Sequence, residues 1–129
     1  MKKLLLTLML AFVSTGAMAE WTQVSVNDVF TQYADFTTIR KTGDKVTMWE
    51  LLDYKSEQKR APGTRYWSEK AHKEYACKEE QVRLLAISGF SKRMGSGKVV
   101  YSVSDPAKWE PVQPASVSDF LFVKACSEK

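Results

Sequence analysis

Histidine is almost absent from this 129-residue sequence, His72 being the only one. Cysteine occurs twice, at Cys77 and Cys126, far apart and not in a C-x-x-C arrangement. A structural zinc site draws several ligands from Cys and His, so no such cluster can be assembled here. The spacing also argues against a thioredoxin-type redox pair. A phosphate loop is missing too. "GSGK" (Gly95–Lys98) ends like one, but Lys92 stands where the first glycine belongs and Val99 where Ser or Thr should follow the lysine. That stretch reads as a flexible hairpin turn. His72 has Glu69 and Glu74 near in sequence but no evident nucleophile to serve, so it reads as an exposed side chain rather than a general base. We therefore expect no catalytic residue, no metal and no cofactor, and an enzyme is the least expected class.

Long apolar runs are also lacking. Leu4–Val13 is the longest, well short of the roughly 18 residues that span a bilayer. Lys2 and Lys3 precede it and Ala17-Met18-Ala19 follows it, which is the layout of a bacterial signal peptide cut after Ala19. The expectation is a signal peptide over 1–19 and one exported domain over 20–129, with no transmembrane anchor. No cysteine follows the cut site, so no lipid attachment is expected. The location is then periplasmic, secreted or at the cell surface. The formal net charge of +4 owes two units to Lys2 and Lys3, so the basic excess that nucleic-acid binding would require is thin. About 110 residues suffice for one core and not for two.

What the chain does contain is a period of two. "KVTMWELLDY" (Lys45–Tyr54) puts Val46, Met48 and Leu52 on one face, and Trp49 and Leu51 on the other. It reads as a strand covered on both sides. "KTGD" joins it to the preceding run "TQYADFTTIR" as a hairpin. "TRYWSEKAHKEYACK" is a more polar strand, with Ala71, Tyr75 and Cys77 on one face. "QVRLLAISGFS" and "GKVVYSVS" flank "KRMGSG" as a second hairpin, and "DPAKWEPVQP", with three of the four prolines, should break regular pairing.

The last segment, "PASVSDFLFVKACSEK", changes character. Ser116 followed by Asp119 permits a capping-box-like helix start. Val117, Phe120, Leu121 and Lys124 fall on one side of that helix, while Phe122, Val123 and Cys126 project elsewhere. In an oxidising compartment two thiols normally pair. A Cys77–Cys126 bridge would close a loop of about 49 residues, for which the chain-entropy model gives about 4 kcal/mol. The fold expected is α+β: a single antiparallel β-sheet of about six strands, with a C-terminal α-helix packed on one face and tied by the disulfide.

Several stretches, in order, are similar to the surface-adhesin protein E family of Gram-negative bacteria. They are "MWELLDY" after a Gly turn, "RYWSEKAHKEYAC", "RLLAISGFSKRMGSGKVVYS", "WEPVQPAS" and a final helix carrying its cysteine. The resemblance implies the same sheet, helix and disulfide. It also implies a non-enzymatic adhesin that binds host matrix and plasma proteins such as laminin, vitronectin and plasminogen.

The candidate contact residues are basic and aromatic. "YKSEQKRAPGTR" places Lys55, Lys59, Arg60 and Arg65 on an expected loop, and "SKRMGSGK" adds Lys92, Arg93 and Lys98. Trp67 is the candidate aromatic anchor, while Trp49 and Trp109 read as packing residues. Such loops suit acidic protein segments or sulfated glycans. Two functions stay open: an adhesin, and a soluble periplasmic interaction or inhibitor module acting on an envelope or foreign protein. A monomer and a homodimer also stay open.

Overall fold

The computed structural model describes residues 19–60 and 62–127, so the signal-like leader lies outside it apart from Ala19. Seven strands are present among these residues. They are β1 (Thr22–Val26), β2 (Phe30–Thr42), β3 (Lys45–Arg60), β4 (Thr64–Ala76), β5 (Gln81–Phe90), β6 (Val99–Val103) and β7 (Glu110–Pro111). A helix, α1 (Val117–Ser127), ends the described chain. The first six strands form an antiparallel meander in sequence order, and β7 returns to pair with the start of β5. The proline-rich stretch therefore keeps one short pairing, Gln81 with Pro111 and Val82 with Glu110, where regular pairing was expected to stop.

Local chemistry explains the connections. Thr42 pairs with Lys45, leaving a two-residue turn with Gly43 at φ +65°, the first central position that favours glycine in hairpins. Asn27 turns β1 into β2, its side-chain oxygen accepting the N–H of Val29 at 2.8 Å and of Phe30 at 2.9 Å. β1 itself was not singled out from sequence. "TQVSV" is short and polar, and as an edge strand it offers little apolar signal.

The core lies between α1 and one face of the sheet. Ala34, Val46, Met48, Tyr75, Leu121 and Ala125 form one buried cluster, with Val117, Phe122, Cys77 and Cys126 packed around it. The Cys77–Cys126 disulfide joins the end of β4 to the last turn of α1, as expected. The sequence left open which side of the helix meets the sheet. Leu121 and Ala125 are buried, whereas Phe120 and Val123 are more than half exposed. The bridge at Cys126 and the small Ala125 bring that side closest to the sheet, which sets the helix rotation. Ser116 caps the start, its hydroxyl accepting the Asp119 N–H at 3.0 Å. Asp119 reaches back to the N–H of Ala115 at 3.0 Å, one residue earlier than in a standard capping box.

Candidate partner-binding site

The segment between β5 and β6 is held in place, where the sequence suggested a flexible loop. Arg93–Gly95 forms a tight turn with Met94 at φ +56°, a conformation disfavoured for a residue with a side chain. Two buried residues from neighbouring strands hold it there. Asp53 of β3 accepts the Met94 N–H at 2.8 Å and pairs with the Arg93 guanidinium at 2.9 Å. Ser68 of β4 donates to the Lys92 carbonyl at 2.6 Å and accepts the Gly95 N–H at 2.8 Å. Beneath the turn, Leu51 is fully buried on the sheet face opposite α1.

Trp67, Lys92 and Arg93 meet beside this turn, lining a shallow recess of about 260 Å³. The second basic group is not on a loop. β3 continues to Arg60 and β4 begins at Thr64, so Lys55, Lys59, Arg60 and Arg65 sit on a long β-hairpin. Length misled the sequence reading here, because a polar strand end has no apolar alternation to mark it. Lys59 pairs directly with Arg65 across the ladder. Like charges facing each other across a ladder cost stability. Arg65 also bridges to Glu57 at 3.0 Å, and Arg60 stacks over the Tyr101 ring at 4.2 Å. Among the described residues Lys59 and Lys92 form no ion pair.

Three features escaped the sequence reading. An edge-to-face row of rings, Phe30, Tyr54, Tyr66 and Tyr101, crosses from β2 to β6. Tyr101 lies over Gly89 of β5 so closely that a Cβ there would sit 2.1 Å from the ring. Under the row, burial pushes the Glu69 carboxyl up, while the Tyr54 hydroxyl that donates to it pulls in the other direction. On the α1 side, a cleft of about 550 Å³ has the buried Glu50 in its wall. Glu50 accepts from Tyr75 at 2.7 Å and from Gln32 at 3.1 Å, and Lys73 lies 3.4 Å away. The available signal was a lone charge inside "MWELL", a run read as covered on both faces.

His72 is not exposed as expected. It is half-buried and stacked on Trp49, with ring centroids 4.4 Å apart and planes 7° from parallel. Burial lowers its pKa, while nearby Glu74 works the other way. We expect Trp49 fluorescence to titrate with a midpoint below the ordinary histidine value of 6.5, because imidazolium quenches a stacked indole. The folded pKa being depressed, the contribution of His72 to stability is whole above its unfolded pKa and is lost as pH falls from there through the folded pKa. A midpoint at or above 6.5, or one unchanged in His72→Gln, would contradict the stacking.

The sequence profile described as surface-adhesin protein E matches residues 21–127. Among solved structures, the fold is similar to crystal form II of Haemophilus influenzae protein E, with a TM-score of 0.62 at 11% identity over 86% of this chain and 97% of that one. The Se-Met form of H. influenzae protein E gives 0.60 at 10% identity, covering 85% and 95%. Protein E from non-typeable H. influenzae gives 0.57 at 12%, covering 87% and 76%. No curated protein sequence matches. Among the described residues, no helix is long and apolar enough to cross a membrane. With its profile matched over nearly the whole domain and its fold shared with protein E, the chain belongs to the surface-adhesin protein E family.

Proposed function

We propose that the chain is an exported, non-enzymatic adhesin that captures acidic segments of host proteins on its basic hairpin and on the recess formed by Trp67, Lys92 and Arg93. The observation that carries this reading is the turn at Arg93–Gly95. It holds the backbone of Lys92–Gly95 and the Arg93 guanidinium beside the Trp67 ring before any partner arrives. Preorganisation of this kind lowers the entropic cost of association. Family membership supports the adhesin class, and laminin, vitronectin and plasminogen are the partners to try first.

The test uses these three proteins immobilised, with the chain in solution at low and physiological salt. Lys59, Arg60 and Lys92 exchanged together for serine should slow association by about tenfold at low salt and flatten its salt dependence. Arg93 is left out, because its loss would strand the buried Asp53 carboxylate and perturb folding. Trp67→Ala should instead raise the off-rate by about 30-fold if the ring is an anchor. Unchanged kinetics in both variants would sink the assignment of these residues. Protease treatment of intact cells then separates the two locations, since a displayed adhesin is degraded and a periplasmic module is spared.

A further inference from the structure

Asp35 of β2 is only 2% exposed, yet among the described residues no cationic side chain lies within ion-pair distance of it. One carboxylate oxygen is satisfied by Thr37, accepting its N–H at 3.0 Å and its hydroxyl at 2.5 Å. Among the described residues the other accepts one bond, from the main-chain nitrogen of Glu20 at 3.0 Å. Burying a carboxylate without a countercharge is strongly unfavourable, because the interior cannot replace its hydration. The nitrogen it faces belongs to the residue that directly follows Ala17-Met18-Ala19, whose small residues at alternate positions suit a signal peptidase.

We propose that the α-ammonium group of Glu20, released by cleavage of the Ala19–Glu20 bond, is the counter-ion of Asp35, so that removal of the leader completes the sheet. The step is a hydrolysis. Water gives its hydroxyl to the Ala19 carbonyl carbon and a hydrogen to the Glu20 nitrogen, which takes a further proton at neutral pH. A peptide N–H is thereby replaced, at the same place, by a full positive charge with three donors. The position is set by the ladder, because Thr22 pairs with Ala34 and carries the residues before it over Asp35. The bond itself is accessible, since Ala19 and Glu20 are both exposed. Ala19 stands at a recess of about 450 Å³ that Trp21 and Asp35 also line. Arg40 from β2 and Lys70 from β4 also line it, and His72 from β4 is stacked on Trp49 in its wall. The Arg40 and Lys70 cations oppose a further positive charge, so the pairing must outweigh them. The inference rests on the export reading but is tested separately from it.

Mass spectrometry of the exported chain reports processing: a first residue other than Glu20 overturns the proposal and leaves the binding surface untouched. The ion pair is read by comparing the chain that begins at Glu20 with the same chain acetylated on the Glu20 nitrogen. Acetylation keeps an N–H and removes only the charge. At about pH 6.5 the free amine should raise the folded-to-unfolded ratio by about fivefold or more. A carboxylate neighbour raises the folded pKa of the amine, so the advantage is whole below its unfolded value of about 7.7–8.0 and fades as pH rises through the folded one. Asp35→Asn should abolish the difference between the two forms. Should that variant not fold, the pKa of the α-amine, followed by NMR of the 15N-labelled Glu20 amine, decides the matter in the parent chain. A value above the peptide range supports the pair. Equal stability of the free and acetylated chains, or an amine pKa at or below the peptide value, overturns it.

Discussion

Cys126→Ser is expected to release α1 while leaving the meander standing. The disulfide spans 49 residues of chain, and for a loop of that size the entropy model gives about 4 kcal/mol. Packing alone is a weaker hold. Leu121 is the one large side chain of α1 that is fully buried, and burying such a residue contributes about 1.5–3 kcal/mol. Ala125 adds little area, and Phe120 and Val123 face solvent. An 11-residue helix is marginal in water, so its survival depends on the sum of tether and packing. Amide exchange should therefore accelerate by about a hundredfold or more across Val117–Ser127 in the variant, a change of about 2.7 kcal/mol. The amides of β2–β4, bonded within the sheet, should change far less. Equal protection of the helix in both proteins would show that packing suffices. Reduction of the parent should reproduce the variant, and thiol titration of the unfolded, non-reduced chain should find no free thiol.

The elements that were legible in the sequence are those written locally. The β2–β3 hairpin carries its glycine at the turn and its alternation on β3, and the structure pairs it from Thr42–Lys45 to Arg40–Thr47 before the register shifts ahead of Asp35–Trp49. The final helix announces itself through Ser116 and Asp119, and the cysteine pair follows from there being only two of them. What was not legible depends on residues distant in sequence. The rotation of α1 is set by Cys77, 49 residues away, which brings Ala125 rather than Phe120 against the sheet. The role of Glu50 could not be read from its apolar run, since its partners Tyr75, Gln32 and Lys73 come from two other strands. In the candidate site, the sequence grouped Lys92, Arg93 and Trp67 by residue type alone. The two side chains that fix the turn, Asp53 and Ser68, lie on β3 and β4 and carried no signal of that role.

Asp53→Ala tests that arrangement and should have the second largest effect on stability. The carboxylate is 4% exposed at the residue level and accepts both the Met94 N–H and the Arg93 guanidinium. A hydrogen bond to a charged acceptor is worth about 1.5–3 kcal/mol. The Arg93 side chain is 54% exposed, so its pairing is screened by solvent and adds little. The left-handed Met94 works in the opposite direction, since about 1–2 kcal/mol of backbone strain is held in place by these contacts. Loss of the carboxylate therefore lets the turn relax, and the net cost should be about 1–2 kcal/mol. Asp53→Asn keeps an acceptor for Met94 while removing the charge, so it should cost about 1 kcal/mol. Exchange at Met94 and Gly95 distinguishes the two: fast in the alanine variant, near parental in the asparagine one. If the turn presents Lys92 and Arg93 ready for contact, partner affinity should fall with the order of the turn. Asp53→Ala would then bind more weakly although every basic side chain and Trp67 remain. Asp53→Asn would bind nearly as the parent does. Parental protection of Met94 and Gly95 in Asp53→Ala would mean that Ser68 alone sets the turn, and the case for a preformed site would fall with it.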